Sequence, residues 1–348
     1  MVELTVILGL VLGLIVILLS CEIFTNGIEW LGVRLGLAET ATGSVLAAVG
    51  TAMPETIVPL IAIFLGGKVK GAEVGVGAIL GAPFMLGTLA MFVGGVAVYW
   101  GTRRGHRKPH LVLRRDHAER DMKHFMVMYG LTLVASIIGL QGSFDAGPLH
   151  IFIAVILLVI YGYYLHRTLT DEKSEKSNAC PALYLCRITK LDASKGRLAL
   201  AMIILQVLAA LIGIIIGAKI FVSEVEAVSE AAHIPPMILA FLIAPIATEL
   251  PEKFNSVIWY LRGKDTLGFG NITGAMVFQS SIPVSIGLLF TTWDVDPINI
   301  ASMIIALAAS AWMFYSIRRK GGITYKVMLT SGSLYILYII LLVVMPPS

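Results

Sequence analysis

The sequence predicts an all-α membrane protein, with ten transmembrane helices in a five-plus-five inverted-topology repeat. Three observations predict it. The 348 residues are 57% hydrophobic and only 14% charged, where a soluble domain carries about 25% charge, and the mean hydropathy is +0.86. Ten apolar runs are long enough for a hydrocarbon core about 30 Å thick. A short proline- and carboxylate-bearing motif recurs in the two halves at an offset of 197 residues.

The runs follow in order. The first, 4–33, is longer than the core of a signal peptide and has no basic leader, so it reads as a retained helix. The second, 42–66, contains Gly50-Thr-Ala-Met-Pro-Glu55, and the third, 71–100, contains Gly77-Ala-Ile-Leu-Gly-Ala82. The fourth and fifth, 124–142 and 148–168, complete a first repeat over 1–168. A basic cytoplasmic linker, 169–197, follows, and its stretch 179–191 reads as a short interfacial amphipathic helix. The second repeat, 198–348, holds runs at 198–230, 236–261, 266–291, 296–317 and 324–346. The seventh contains Ala247-Thr-Glu-Leu-Pro-Glu252; the eighth contains Gly270-Asn-Ile-Thr-Gly-Ala275.

The repeat is carried by alignment. At an offset of 197, Thr51 matches Thr248, Pro54 matches Pro251 and Glu55 matches Glu252, while Cys21-Glu-Ile-Phe24 matches Ala218-Lys-Ile-Phe221. On the third and eighth runs the offset falls to 193, so the first copy has four extra residues in its turn. Five helices per copy place the second copy upside down, the inverted arrangement found in many secondary transporters.

Orientation comes from the basic residues. Alternate loops hold 22 of the 26 lysines and arginines on one side, with only Lys68 and Lys70 on the other. The positive-inside bias puts the rich side in the cytoplasm and both termini outside. It also accounts for the net charge of +4 without a nucleic-acid partner. The cell membrane of a prokaryote is the expected location. The three cysteines, Cys21, Cys180 and Cys186, give neither a disulfide framework nor metal-ligand spacing.

A carboxylate at membrane depth is expensive and marks an ion or substrate path. A proline before it removes a backbone donor and frees carbonyls that can bind a cation. Two such breaks in corresponding halves point to a transport site, so the chain reads as an ion transporter. Glu249 lies three residues before Glu252 and shares its face on a continuous helix. Two carboxylates that close repel, and one holds a proton unless a cation lies between them. Lys253 is expected to point away from Glu252. Asn271 and Gln279 are about two turns apart on one helix face.

These residues resemble a known family. The two motifs at 50–55 and 247–252 are similar to the Gly-Thr-Ser-x-Pro-Glu signature in the two alpha repeats of the calcium/cation antiporter superfamily, nearest its prokaryotic sodium/calcium exchangers. Gly268-Phe-Gly-Asn-Ile-Thr-Gly-Ala-Met-Val-Phe-Gln279 resembles the stretch that follows the second signature. The resemblance implies a secondary antiporter that exchanges a divalent cation, Ca2+ first, for Na+ or H+ by alternating access. It implies a cation centre built from Glu55, Glu252, Thr51 and Thr248, to which Glu249, Asn271 and Gln279 are added from this sequence. The ions are substrates; no cofactor is expected. Partners are inorganic cations and the bilayer.

The chain departs from the family pattern. Ala52 and Glu249 stand where the signatures have Ser, and Ala78, Ala82, Pro83 and Leu86 provide no side-chain oxygen on the third run. Fewer sodium sites are therefore expected, and a proton-coupled carrier of Mg2+ or Mn2+ is the alternative, since Mg2+ keeps part of its water shell. An intramembrane enzyme is disfavoured: no Ser/His pair or His-Glu-x-x-His run lies in the spans. Nothing resembles a channel selectivity filter.

Overall fold

The computed structural model describes residues 4–34, 53–66, 70–139, 147–171, 183–189, 196–320 and 322–344. Almost all of them are helical. The first half comprises α1 (Leu4–Arg34), α2 (Met53–Leu65), α3 (Lys70–Met85), α4 (Met91–Arg103), α5 (Arg115–Gly139) and α6 (Gly147–Asp171). The short α7 (Tyr184–Thr189) stands between the halves. The second half comprises α8 (Gly196–Ala232), α9 (Pro236–Thr248), α10 (Leu250–Leu261), α11 (Asp265–Gln279), α12 (Ile282–Phe290), α13 (Pro297–Lys320) and α14 (Tyr325–Val344). Among the described residues, eight helices are long and apolar enough to cross a membrane, and two shorter apolar helices accompany them.

Lipid-facing stripes identify the outside of the bundle. Leu8, Leu12, Ile15 and Leu19 on α1 and Leu205, Leu208, Ile212 and Ile216 on α8 are exposed. Apolar surface on that scale is not left facing water in a soluble monomer. The two helices lie against each other. A Cβ on Gly13 would stand 3.1 Å from the Gly217 carbonyl, and one on Gly217 the same distance from the Gly13 carbonyl. Such close approach needs small residues at the crossing.

The core lies between α3, α9, α11, α13 and α14. Here α3 passes α9 so closely that a Cβ on Gly77 or Gly81 would strike the carbonyl of Met237 or Phe241. Phe84, Phe241 and Tyr338 pack their rings over this crossing, with centroids 4.8–5.3 Å apart.

The helix interruptions follow the prolines. Pro83 precedes a π turn, Leu86–Ala90, that joins α3 to α4 without a break. The eighth predicted run is instead cut at Ser280 and Ser281, where Pro283 opens α12. These two irregularities coincide at the 193-residue offset. The seventh run is cut at Glu249, and Glu55 of α2 and Glu252 of α10 are 197 residues apart. The fourth predicted run begins earlier than 124, because Arg115–Lys123 forms the first turns of α5 rather than loop.

The segments that connect the helices on the lysine- and arginine-rich side are tied down by polar contacts. Arg107 Nη2 lies 2.8 Å from Asp265 Oδ1 with both side chains buried, and Val112 N donates to Asp265 Oδ2 at 2.8 Å. Leu111 N donates to the Ile323 carbonyl at 2.8 Å. Within the stretch predicted as an amphipathic helix, only α7 is helical among the described residues. Tyr184 N and Leu185 N donate to Asn26 Oδ1 and Gln206 Oε1, so α7 clamps α1 to α8.

Candidate functional site

Glu55 and Glu252 each occupy the first turn of their helix, α2 and α10. A proline at the second residue of a helix loses no bond, because that N–H has no partner anyway; Pro54 and Pro251 hold those positions. A carboxylate in the first turn is favoured by the helix dipole. Pro59 lies inside α2 and Pro245 inside α9, and each lacks the N–H that would bond the carbonyl four residues earlier, Glu55 or Phe241. The first motif thus combines a carboxylate with a carbonyl that its helix does not bond; in the second half the freed carbonyl, that of Phe241, lies six residues before the motif.

The side chains converge from both halves. Glu55, Glu249 and Glu252 are 4%, 0% and 2% exposed. The charges of Glu252, Glu249 and Lys253 all act on Glu55, and those of Glu55 and Glu252 act on the buried thiol of Cys21 on α1. Neither oxygen of Glu55 and neither side-chain polar atom of Gln279 has a hydrogen-bond partner among the described residues. Buried polar groups are ordinarily satisfied, so an unmet group calls for an explanation such as an ion or water. Among the described residues no three His, Cys, Asp or Glu side chains are close enough to hold a metal ion together. In this conformation the carboxylates share a field rather than a closed coordination shell.

The other expected residues divide. Thr248 ends α9, buried, its hydroxyl donating to the Ala244 carbonyl at 3.0 Å. Asn271 on α11 donates through Nδ2 to the Glu252 carbonyl and to Ser256 Oγ, both at 3.1 Å. Its amide nitrogen therefore braces the start of α10. Gln279, the last residue of α11, stands at the break that separates α11 from α12. Thr51 and Ala52 lie outside the described residues. Lys253 turns toward Glu249, the residue one helical turn back, with Nζ 3.3 Å from Oε2 and 3.1 Å from the Pro245 carbonyl. Glu22 accepts a hydrogen bond from the Tyr184 hydroxyl at 2.7 Å, and Lys219 is exposed.

One buried group was missed. Asp121 accepts from Tyr164 on α6 at 3.0 Å and from Thr273 on α11 at 2.7 Å, joining three helices beside the Asn271 segment. It stands ahead of the fourth predicted run, 124–142, among charged residues. The signal was the spacing of apolar Ala118, Met122 and Phe125, which continues the helix period.

The sequence profile described as sodium/calcium exchanger protein matches residues 5–169 and 202–344. The chain belongs to the sodium/calcium exchanger protein family. Its two matched stretches lie one in each half and flank α7. Among curated relatives of this family member, the uncharacterized membrane protein MJ0091 of Methanocaldococcus jannaschii is 21% identical over 84% of this chain and 85% of its own length. The inner membrane protein YrbG of Escherichia coli is 21% identical over 83% and 81%. Among solved structures, the H+/Ca2+ exchanger CAX superposes with a TM-score of 0.70 at 16% identity, covering 97% of this chain and 82% of that one. The sodium-calcium exchanger NCX_Mj superposes at 0.56 with 19% identity, covering 96% and 99%. The fold is shared with both. The chain is a multi-pass integral membrane protein of a transporter family.

Proposed function

We propose that this protein is a secondary-active antiporter that exchanges a divalent cation, Ca2+ first, for Na+ or H+ by alternating access. In this reading the chain crosses the membrane ten times in two inverted repeats, 1–168 and 198–348, with both termini outside. The observation that carries it is the equivalence of Glu55 and Glu252. Two buried carboxylates 197 residues apart lie on α2 and α10, and the charge of Glu252 acts on Glu55.

Ca2+ takes 6–8 oxygens in a flexible shell. Glu55 and Glu252 supply the charge that offsets its dehydration; Thr51 and Thr248 supply hydroxyl or carbonyl oxygens. Glu249, Asn271 Oδ1 and Gln279 Oε1 complete the set from the second half. On the first half Ala78 and Ala82 are buried without oxygen, so the cation lies nearer α10 and α11.

Flux in sealed proteoliposomes tests this. Radiolabelled Ca2+ should enter only when Na+ or H+ is present on the far side, and Glu55→Gln and Glu252→Gln should each abolish entry while the purified protein stays folded. Flux without a counter-ion would indicate a channel. Wild-type flux in either variant would make the carboxylates structural. The same vesicles offered Mg2+ and Mn2+ rank the divalent ions.

A further inference from the structure

Lys253 is a basic side chain whose charge acts on Glu55. It is buried, with its side chain 9% exposed. A lysine near a helix end in a membrane ordinarily snorkels to the headgroups. This one does the opposite. Its four-carbon stem folds back across the break between α9 and α10, and Nζ meets the Pro245 carbonyl at 3.1 Å and Glu249 Oε2 at 3.3 Å. A backbone carbonyl at a helix interruption and a carboxylate are the partners a bound monovalent cation takes in such sites. An ammonium carries the same charge and offers three donors to such oxygens.

We propose that the Lys253 ammonium is a tethered monovalent cation of the transport centre, so that one divalent ion exchanges for two monovalent positive charges with no net charge moved. The proposal rests on the antiporter reading above. The charge count is short: once bound ions displace their protons, Glu55, Glu249 and Glu252 contribute three negative charges and Lys253 one positive, leaving two negative. One divalent ion, or two monovalent ions, brings the centre to neutrality. Uncompensated charge inside the bilayer is costly, so the forms that switch sides are the neutral ones. Without the lysine, three carboxylates would need a third positive charge, and a divalent ion would leave one negative charge behind. The tether also accounts for the depleted oxygens of α3: a permanently held cation needs no second set of ligands to capture it.

The test is the equilibrium accumulation of radiolabelled Ca2+ in proteoliposomes at a fixed counter-ion gradient, with the membrane potential clamped by K+ and valinomycin. One uncompensated charge shifts the accumulation ratio about fifty-fold at about 100 mV. Wild type should show the same ratio at zero and at about −100 mV. Lys253→Gln should become potential-dependent, and Lys253→Arg should stay independent. A wild-type ratio that moves about fifty-fold overturns the proposal and leaves the antiporter reading intact, as does a Lys253→Gln ratio that ignores potential. If Lys253→Gln is too unstable to assay, the double variant Lys253→Gln, Glu249→Gln restores the count and must be potential-independent; a dependent ratio there overturns the proposal. Absence of counter-ion-dependent flux in wild type removes both readings.

Discussion

At the scale of single residues, Asn271 shows how the site is held. Its Nδ2 joins the Glu252 carbonyl to Ser256 Oγ, so it fixes the first turn of α10 from the neighbouring helix. A buried acceptor stripped of its donor costs about 1–3 kcal/mol. Asn271→Ala should therefore lower the melting temperature in detergent by several degrees and raise the KM for the divalent ion more than it lowers kcat. An unchanged melting temperature would remove the brace. The sequence offered Asn271 and Gln279 as one helix face, and both lie on α11, but only the structure separates their roles. Gln279 faces the break with its amide unmet among the described residues, whereas Asn271 is bound to α10. No spacing rule carries that difference, because it depends on where α10 crosses α11.

At the scale of elements, helix crossings and latches set the geometry. Gly77 and Gly81 let α3 touch the backbone of α9. Overpacking such a crossing costs about 1–3 kcal/mol per site, so Gly81→Val should destabilise the protein and reduce transport together. A variant with normal stability and flux would mean that α3 can withdraw without affecting the centre. The buried Arg107–Asp265 ion pair holds the loop after α4 against the start of α11. Removing one partner of a buried pair costs about 3–5 kcal/mol, and Arg107→Ala should show it in thermal or denaturant unfolding. Replacing both partners by apolar residues should recover most of that loss, since no buried charge is left alone.

The elements also show what could be read beforehand. The start of α10 was legible because its proline and glutamate repeat those of the first half at one offset. The π turn after Pro83 and the break before Pro283 were signalled by their prolines, yet each sits in an unbroken apolar run that reads as one span. The early start of α5 was hidden because Arg115, Arg120 and Lys123 suggest water. In the fold, Arg115 and Lys123 flank Glu119 on the exposed side, and Arg120 lies over the Tyr164 ring.

At the scale of the whole molecule, the positive-inside pattern makes a topology prediction. In a background with Cys21, Cys180 and Cys186 replaced by Ser, Arg262→Cys between α10 and α11 should react with a membrane-impermeant thiol reagent only after permeabilisation. Asp294→Cys between α12 and α13 should react in intact cells. The opposite pattern would invert the protein in its membrane.

The central claim is that Glu55 and Glu252, from different halves of the chain, serve one divalent ion. The most direct measurement is the number of Ca2+ ions bound per purified chain, by equilibrium dialysis of wild type, Glu55→Gln and Glu252→Gln. One ion per wild-type chain, lost in each single variant, is the predicted result. Two ions in wild type, with each variant keeping one, would contradict it.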